Sequence, residues 1–282
     1  MKAFISVDLE GMPYVVILGQ LNLKGPLYEE ARKIATKITL IVTEELHKNG
    51  FDKILIADSH GPMVNLLIDD LPESVEIIRG SLRPTSMVAE AKGCDVAIFL
   101  GYHAKAGTIY STFDHTYSGG SVQKLVLNEI EVSEYLLNSY TLGEIGIPPV
   151  LVAGEMQLIE HDVKRYSPWV ETVPLKESLS RLSAKSYSIK LIEKELRAAT
   201  NKAIINFNEN LVETLVLEKP ITVSLTLKET HQADAVALLP FIDRKSAQTV
   251  EYVANDMQEA YKTFQALMFI SSASSSMLQN LQ

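Results

Sequence analysis

Short apolar runs recur through the first half of the chain, each closed by polar residues or glycine. Lys2–Val7, Lys53–Ala57, Val75–Arg79, Asp95–Leu100, Val122–Leu127 and Pro149–Ala153 read as buried strands. Between the first two, Ala31, Ile34, Ile38, Ile41, Val42 and Leu46 recur at helical spacing, which predicts a helix over Tyr28–Asn49 with Gly50 just past its end. Residues 11–26 carry Gly11, Pro13, Gly19, Gly25 and Pro26 and read as a loop. Pro84–Ala91 is expected to form a short helix. After a polar turn at Asn128–Glu131, Ser133 can N-cap a helix running to Leu142 and stopped by Gly143. Strands alternating with helices predict an α/β fold, with a mainly parallel sheet flanked by helices on both faces.

The later part has another texture. Ser178–Asn206 reads as largely helical, Ile221–Leu227 alternates like a half-buried strand, and Thr249–Val253 leads into a helix over Asp256–Ile270. The Ser-rich stretch 271–276 is expected to fray. A two-part chain follows, with a boundary near 160–178. Residues 1–165 would form an α/β catalytic domain. Residues 166–282 would form a smaller α+β domain contributing to oligomerisation and the substrate pocket.

Composition narrows the function classes. The 282 residues are 46% hydrophobic and 22% charged, which suits a globular core. A formal charge of −9 argues against a nucleic-acid partner, since phosphate contacts need clustered Lys and Arg. Cys94 is the only cysteine, which excludes an intrachain disulfide and a cysteine-built zinc site and fits a cytoplasmic protein. The N-terminus lacks the pattern of a signal peptide, and no apolar run is long enough to span a membrane.

Metal-binding side chains gather where the predicted strands end. Asp8 and Glu10 close the first run, His60 follows the second and His103 the fourth, and Glu134 starts the helix after Ser133. In an open α/β sheet, ligands bind at the carboxyl ends of the strands. Carboxylates and imidazoles there suit zinc or a similar divalent ion. Each residue also has an ordinary reading alone: a solvated strand end for the acids, a loop or packed histidine for the imidazoles, and a favourable helix-start charge for Glu134. Asp58 is a candidate to orient His60. Five ligands exceed a four-coordinate zinc site and suit a pair of ions roughly 3.5–4 Å apart. His115, in the polar stretch STFDHTYSGG, could serve in proton transfer, because imidazole titrates near neutral pH. There is no GxxxxGK[ST], HExxH or GxSxG.

Several motifs resemble one family. SVDLEG at 6–11, DSHG at 58–61, RGSLRPTSMV at 79–88, GYHAKA at 101–106, DHT at 114–116, VSEYLLN at 132–138, PVLVAGE at 149–155 and QADAVALLP at 232–240 are similar, in order, to the D-aminopeptidases of peptidase family M55, from bacterial dipeptide-transport operons. The resemblance implies two zinc ions held by Asp8, Glu10, His60, His103 and Glu134, with Asp8 bridging and His115 catalytic. It also implies short peptide substrates, release of N-terminal D-amino acids and ring-shaped homo-oligomers. The chain departs from the family pattern at Met12-Pro13, Ser133, Glu155 and Ala235. None of these is a proposed ligand. They bear on substrate preference, which pocket-lining residues set.

Two further readings stand beside this one. Another dinuclear metallohydrolase, an amidase or phosphoesterase, could use the same cluster, and a phosphate site would add Arg79, Arg83 or Lys105. A metal-stabilised, peptide-binding oligomer without turnover is the third.

Overall fold

The computed structural model describes residues 1–280. Strand β1 (Lys2–Val7) leads through a loop into helix α1 (Tyr28–Lys48), then β2 (Lys53–Asp58), β3 (Val75–Ile78) and β4 (Val96–Tyr102). A hairpin of β5 (Val122–Leu127) and β6 (Ile130–Glu131) precedes α2 (Glu134–Gly143) and β7 (Pro149–Glu155). A short helical stretch over 156–166 follows. The chain continues through β8 (Glu171–Ser180), β9 (Ser183–Ser186), α3 (Ile189–Asn208), β10 (Ile221–Leu227), α4 (Thr230–Val236), β11 (Asp243–Arg244), β12 (Thr249–Ala254) and α5 (Met257–Gln279).

The main sheet has the order β3-β2-β1-β4-β7-β8-β9, parallel except for β9, which returns antiparallel to β8. The second sheet, β11-β12-β10-β5-β6, is antiparallel. Each sheet draws strands from both sides of residue 165. The hairpin β5–β6 joins the second sheet, and β8 and β9 extend the first. Among the described residues, no helix is long and apolar enough to cross a membrane.

Alternate residues of a strand point to opposite faces, and β1 divides its side chains accordingly. Ala3, Ile5 and Val7 pack with Ile38 and Val42 of α1 and Leu196 of α3. Phe4 packs on the opposite face, in a core containing Phe99, Leu136, Val152, Leu225 and Phe264. The second sheet and α5 thus cover one face of the main sheet, and α1 and α3 cover the other.

Three expectations are corrected. Residues 178–180 and 183–186 are strand, joined by a turn at Arg181-Leu182, because β8 pairs with β7 and folds back on β9; the helix begins only at Ile189. Pro84–Ala91 forms no α-helix. Left-handed φ at Leu82, Thr85, Ser86 and Glu90 allows just one tight turn, over Ser86–Val88. The serines at 271–276 continue α5 instead of fraying, and Ser274, Ser275 and Ser276 bond back to carbonyls one turn earlier.

The strand order turns back between β1 and β4, where sheets of this kind bind ligands. Their carboxyl ends come close there because of glycine. Gly101 has φ +74°, and a Cβ on it would lie 2.1 Å from the Asp8 carbonyl oxygen. Gly101→Ala is expected to cost about 3–5 kcal/mol through clash and backbone strain together. Gly80 has a similar φ of +85° with open space around it. Gly80→Ala should cost only about 1 kcal/mol, from the backbone term alone. Urea unfolding of the two variants checks this; equal losses would contradict it.

Candidate metal centre

Asp8 and Glu10 lie just beyond β1, not within it. A turn closed by Met12 N–H on Leu9 O lets both carboxylates face one point. His60 follows β2, His103 follows β4, and Glu134 opens α2, whose cap is the Ser133 hydroxyl accepting from Leu136 N–H. All five side chains converge, and all are buried. His60 Nδ1 lies 2.6 Å from Glu10 Oε2 and 3.3 Å from Asp8 Oδ1. His103 Nε2 lies 3.6 Å from Asp8 Oδ2 and 3.6 Å from Glu134 Oε1. Three groups are tight enough to hold an ion: Asp8, Glu10 and His60; Asp8, His103 and Glu134; Glu10, His103 and His115.

The imidazoles are oriented from behind by backbone carbonyls, which can only accept. His60 Nε2 donates to Leu21 O at 2.8 Å, His103 Nδ1 to Ala104 O at 2.9 Å, and His115 Nδ1 to Phe113 O at 2.7 Å. Held that way, a neutral ring would turn its bare nitrogen toward the carboxylates; His60, although buried, is raised well above its ordinary value by Glu10 and Asp8, so with no cation between them it carries a proton. Lone pairs facing lone pairs repel unless a cation sits between them. Among the described residues, Asp8 Oδ2, Glu10 Oε2 and His103 Nε2 are buried without a hydrogen-bond partner. Buried polar atoms rarely stay so, and this donor set of carboxylate oxygen and imidazole nitrogen fits a divalent ion such as zinc.

The side chains alone are in electrostatic conflict. Burial, reinforced by Glu10, pushes the Asp8 carboxyl well above its usual range. Burial also raises Glu134. Glu10 is buried too, but His60, with His115 and His103, outweighs that and holds its carboxyl well down. Burial beside His115 lowers His103 to about 3, so this ring is neutral and able to ligate at ordinary pH.

His115 stands at the rim. Its Nε2 lies 3.4 Å from Glu134 Oε1 and 4.0 Å from Glu10 Oε1, and its ring stacks on His103 with centroids 4.3 Å apart. A hollow of about 240 Å³ opens over the acids, walled by Met63, Met87, Tyr117, Gln265 and Phe269. Gln265 and Phe269 come from α5, far from the other residues in sequence.

Asp58 does not orient the His60 ring. It accepts from Asn65 Nδ2 and Leu66 N–H, and Asn65 in turn donates to the His60 carbonyl. Arg79 and Arg83 donate to backbone carbonyls, and Lys105 lies 3.4 Å from Asp162, so these three cations are engaged away from the cluster. That disfavours a phosphate site.

A layer under the cluster has no counterpart in the sequence pattern. Ser59, Ser6, Tyr102, Asn138 and Tyr261 form a buried hydrogen-bonded chain linking β1, β4, α2 and α5 with the residue after β2. Lys176 of β8 is fully buried and donates to the Glu10 and Val15 carbonyls, fastening the loop after β1. Burial lowers its ammonium to about 7. A signal was available for four of these six, and Tyr261 had none. Ser6, Ser59, Tyr102 and Asn138 sit inside the SVDLEG, DSHG, GYHAKA and VSEYLLN motifs. Lys176 had none.

The chain is similar in sequence and in structure to known proteins. Residues 1–266 match the peptidase M55 family, described as D-aminopeptidase. A D-aminopeptidase of Bacillus subtilis (strain 168) is 31% identical over 272 residues, covering 93% of this chain and 94% of that one. The solved structure of the Zn-dependent D-aminopeptidase DppA from Bacillus subtilis, described as a self-compartmentalizing protease, superposes with a TM-score of 0.91 at 29% identity, over 96% of this chain and 98% of its own. The chain belongs to the peptidase M55 family of D-aminopeptidases, a family of hydrolases.

Proposed function

We propose that the protein is a dinuclear zinc aminopeptidase that removes N-terminal D-amino acids from short peptides. The observation that carries it is the attitude of Asp8, which turns one oxygen to His60 and the other to His103. A carboxylate placed between two imidazoles suits a bridging ligand. Glu10 and His60 would complete one side, and His103 and Glu134 the other. Zinc held there would lower the pKa of a bound water to about 7 and polarise a carbonyl.

The chain's own residues do the rest. His115, held by the Phe113 carbonyl, presents Nε2 to the cluster and is placed to move a proton to the leaving amine or to stabilise the oxyanion. The acids draw the substrate's ammonium end into the same hollow. The walls of Met63, Met87 and Phe269 receive the first side chain and limit its water.

The remaining expectations join this reading. Ring-shaped association of copies would cover some of the exposed apolar side chains, such as Leu18 and Leu23, Ile109 and Tyr110, or Leu238 and Phe241. The residues after 165 contribute Gln265 and Phe269 to the pocket. A single buried cysteine suits a reducing compartment such as the cytoplasm.

Zinc-loaded protein is expected to hydrolyse D-Ala-D-Ala faster than L-Ala-L-Ala by roughly 10² in kcat/KM, the scale on which a shaped pocket discriminates. Amine release followed for both dipeptides checks this. Preference for the L-dipeptide would remove the D-specific assignment, and inertness toward both would favour a non-catalytic binding protein.

A further inference from the structure

Two hollows of opposite charge meet at His115. The first is the acid-lined pocket over the cluster. The second, a groove of about 530 Å³, shares His115 as a wall and is bordered by Lys124, Arg181 and Lys228. Asp114 and Glu131 are the acids on its border, leaving it one positive charge in a chain whose formal charge is −9.

The cations differ in how far they are neutralised. Arg181 pairs with Asp114 Oδ1, and Lys124 lies 3.6 Å from Glu131. Lys228 donates to the Gly119 carbonyl, and among the described residues no carboxylate pairs with it. Gly119 is adjacent to the catalytic candidate, since a Cβ on it would lie 3.7 Å from His115 Cβ. The groove is also built into the segment that bears His115. Lys228 N–H donates to Ser121 O, Phe113 N–H donates to Arg181 O, and Arg181 Nη1 donates to Asp114 O. The charges are therefore held in register with His115 by backbone bonds.

We propose that this groove binds the free C-terminal carboxylate of a short peptide's leaving portion, with Lys228 as its principal cation. The inference rests on the aminopeptidase reading. With the N-terminal ammonium among the acids and the scissile carbonyl beside His115, the leaving portion crosses into the cationic groove. A volume of about 530 Å³ holds one or two residues. A carboxylate at the end of a longer peptide passes beyond Lys228, so the groove selects for shortness and not only for a free amine.

The test compares D-Ala-D-Ala with its C-terminal amide on zinc-loaded protein. The free acid is expected to be favoured about tenfold in kcat/KM, mainly through KM, on the scale of one charged hydrogen bond. The ratio should shrink on raising salt. In Lys228→Gln it should fall to about threefold or less, and Lys228→Arg should restore it, which a merely structural lysine would not require. Lys124→Gln should reduce it by a smaller factor. Equal cleavage of acid and amide by the unaltered protein, or a full preference surviving in Lys228→Gln, overturns the proposal while leaving the aminopeptidase reading intact. Cleavage of neither overturns both.

Discussion

Replacing His60 and His103 together with alanine is expected to release bound zinc and lower kcat/KM on D-Ala-D-Ala by a factor on the order of 10³ or more, because the Lewis-acid contribution of a metal is several kcal/mol. The two imidazoles face Asp8 from opposite sides, so the pair of substitutions strikes both halves of the cluster. Zinc content of the purified variant and its steady-state rate are the two readouts. Three buried carboxylates remain in this variant without their counter-charges. Zinc, which raises the melting temperature of the unaltered protein by mass action, should leave that of the variant unmoved. A variant that retains full turnover would show that the chemistry lies elsewhere.

His115→Ala is expected to act differently. His115 stacks on His103 at the rim and makes its backbone bond outside the cluster. Its removal should leave zinc content near that of the unaltered protein and lower kcat by about 10²–10⁴, the range for loss of a general acid–base group. KM should change little, since Met63, Met87 and Phe269, which receive the substrate's first side chain, are untouched. A kcat within about a factor of three of the unaltered enzyme would remove His115 from the mechanism. Loss of zinc in step with activity would make it a ligand instead.

Much of the fold was legible because the central strands of the main sheet are buried on both faces and read as continuous apolar runs, while Ile221–Leu227 of the second sheet alternates. Lys2–Val7, Val122–Leu127 and Ile221–Leu227 match their predicted bounds, and Ser133 caps α2 as its position suggests. The misread stretches are those where tertiary context decides. ETVPLKESLS of β8 contains good helix formers, and pairing to β7 and β9 makes it a strand. The serines of α5 are poor helix formers alone. In the fold, Ser275 also bonds to His231 and Gln232 of α4, which ties that turn down.

The candidate site was legible as residue types at three strand ends and one helix start, and the structure brings all five of those groups and His115 together. What the sequence could not show is what aims them. The Leu21 carbonyl behind His60 comes from a loop without periodic pattern. Lys176 reaches Glu10 from a part of β8, before Ser178, for which the sequence pattern predicts no element. The cationic groove joins Lys124, Arg181 and Lys228 from three separate strands and turns. Convergence of that kind is set by sheet order, and no local spacing encodes it.

The central claim is that these scattered acids and imidazoles share a pair of zinc ions. Anomalous scattering from crystals of the zinc-loaded protein, recorded on both sides of the zinc edge, tests it most directly. The account predicts two peaks enclosed by Asp8, Glu10, His60, His103 and Glu134, with Asp8 touching both. A single peak, or zinc held by other side chains, would contradict it.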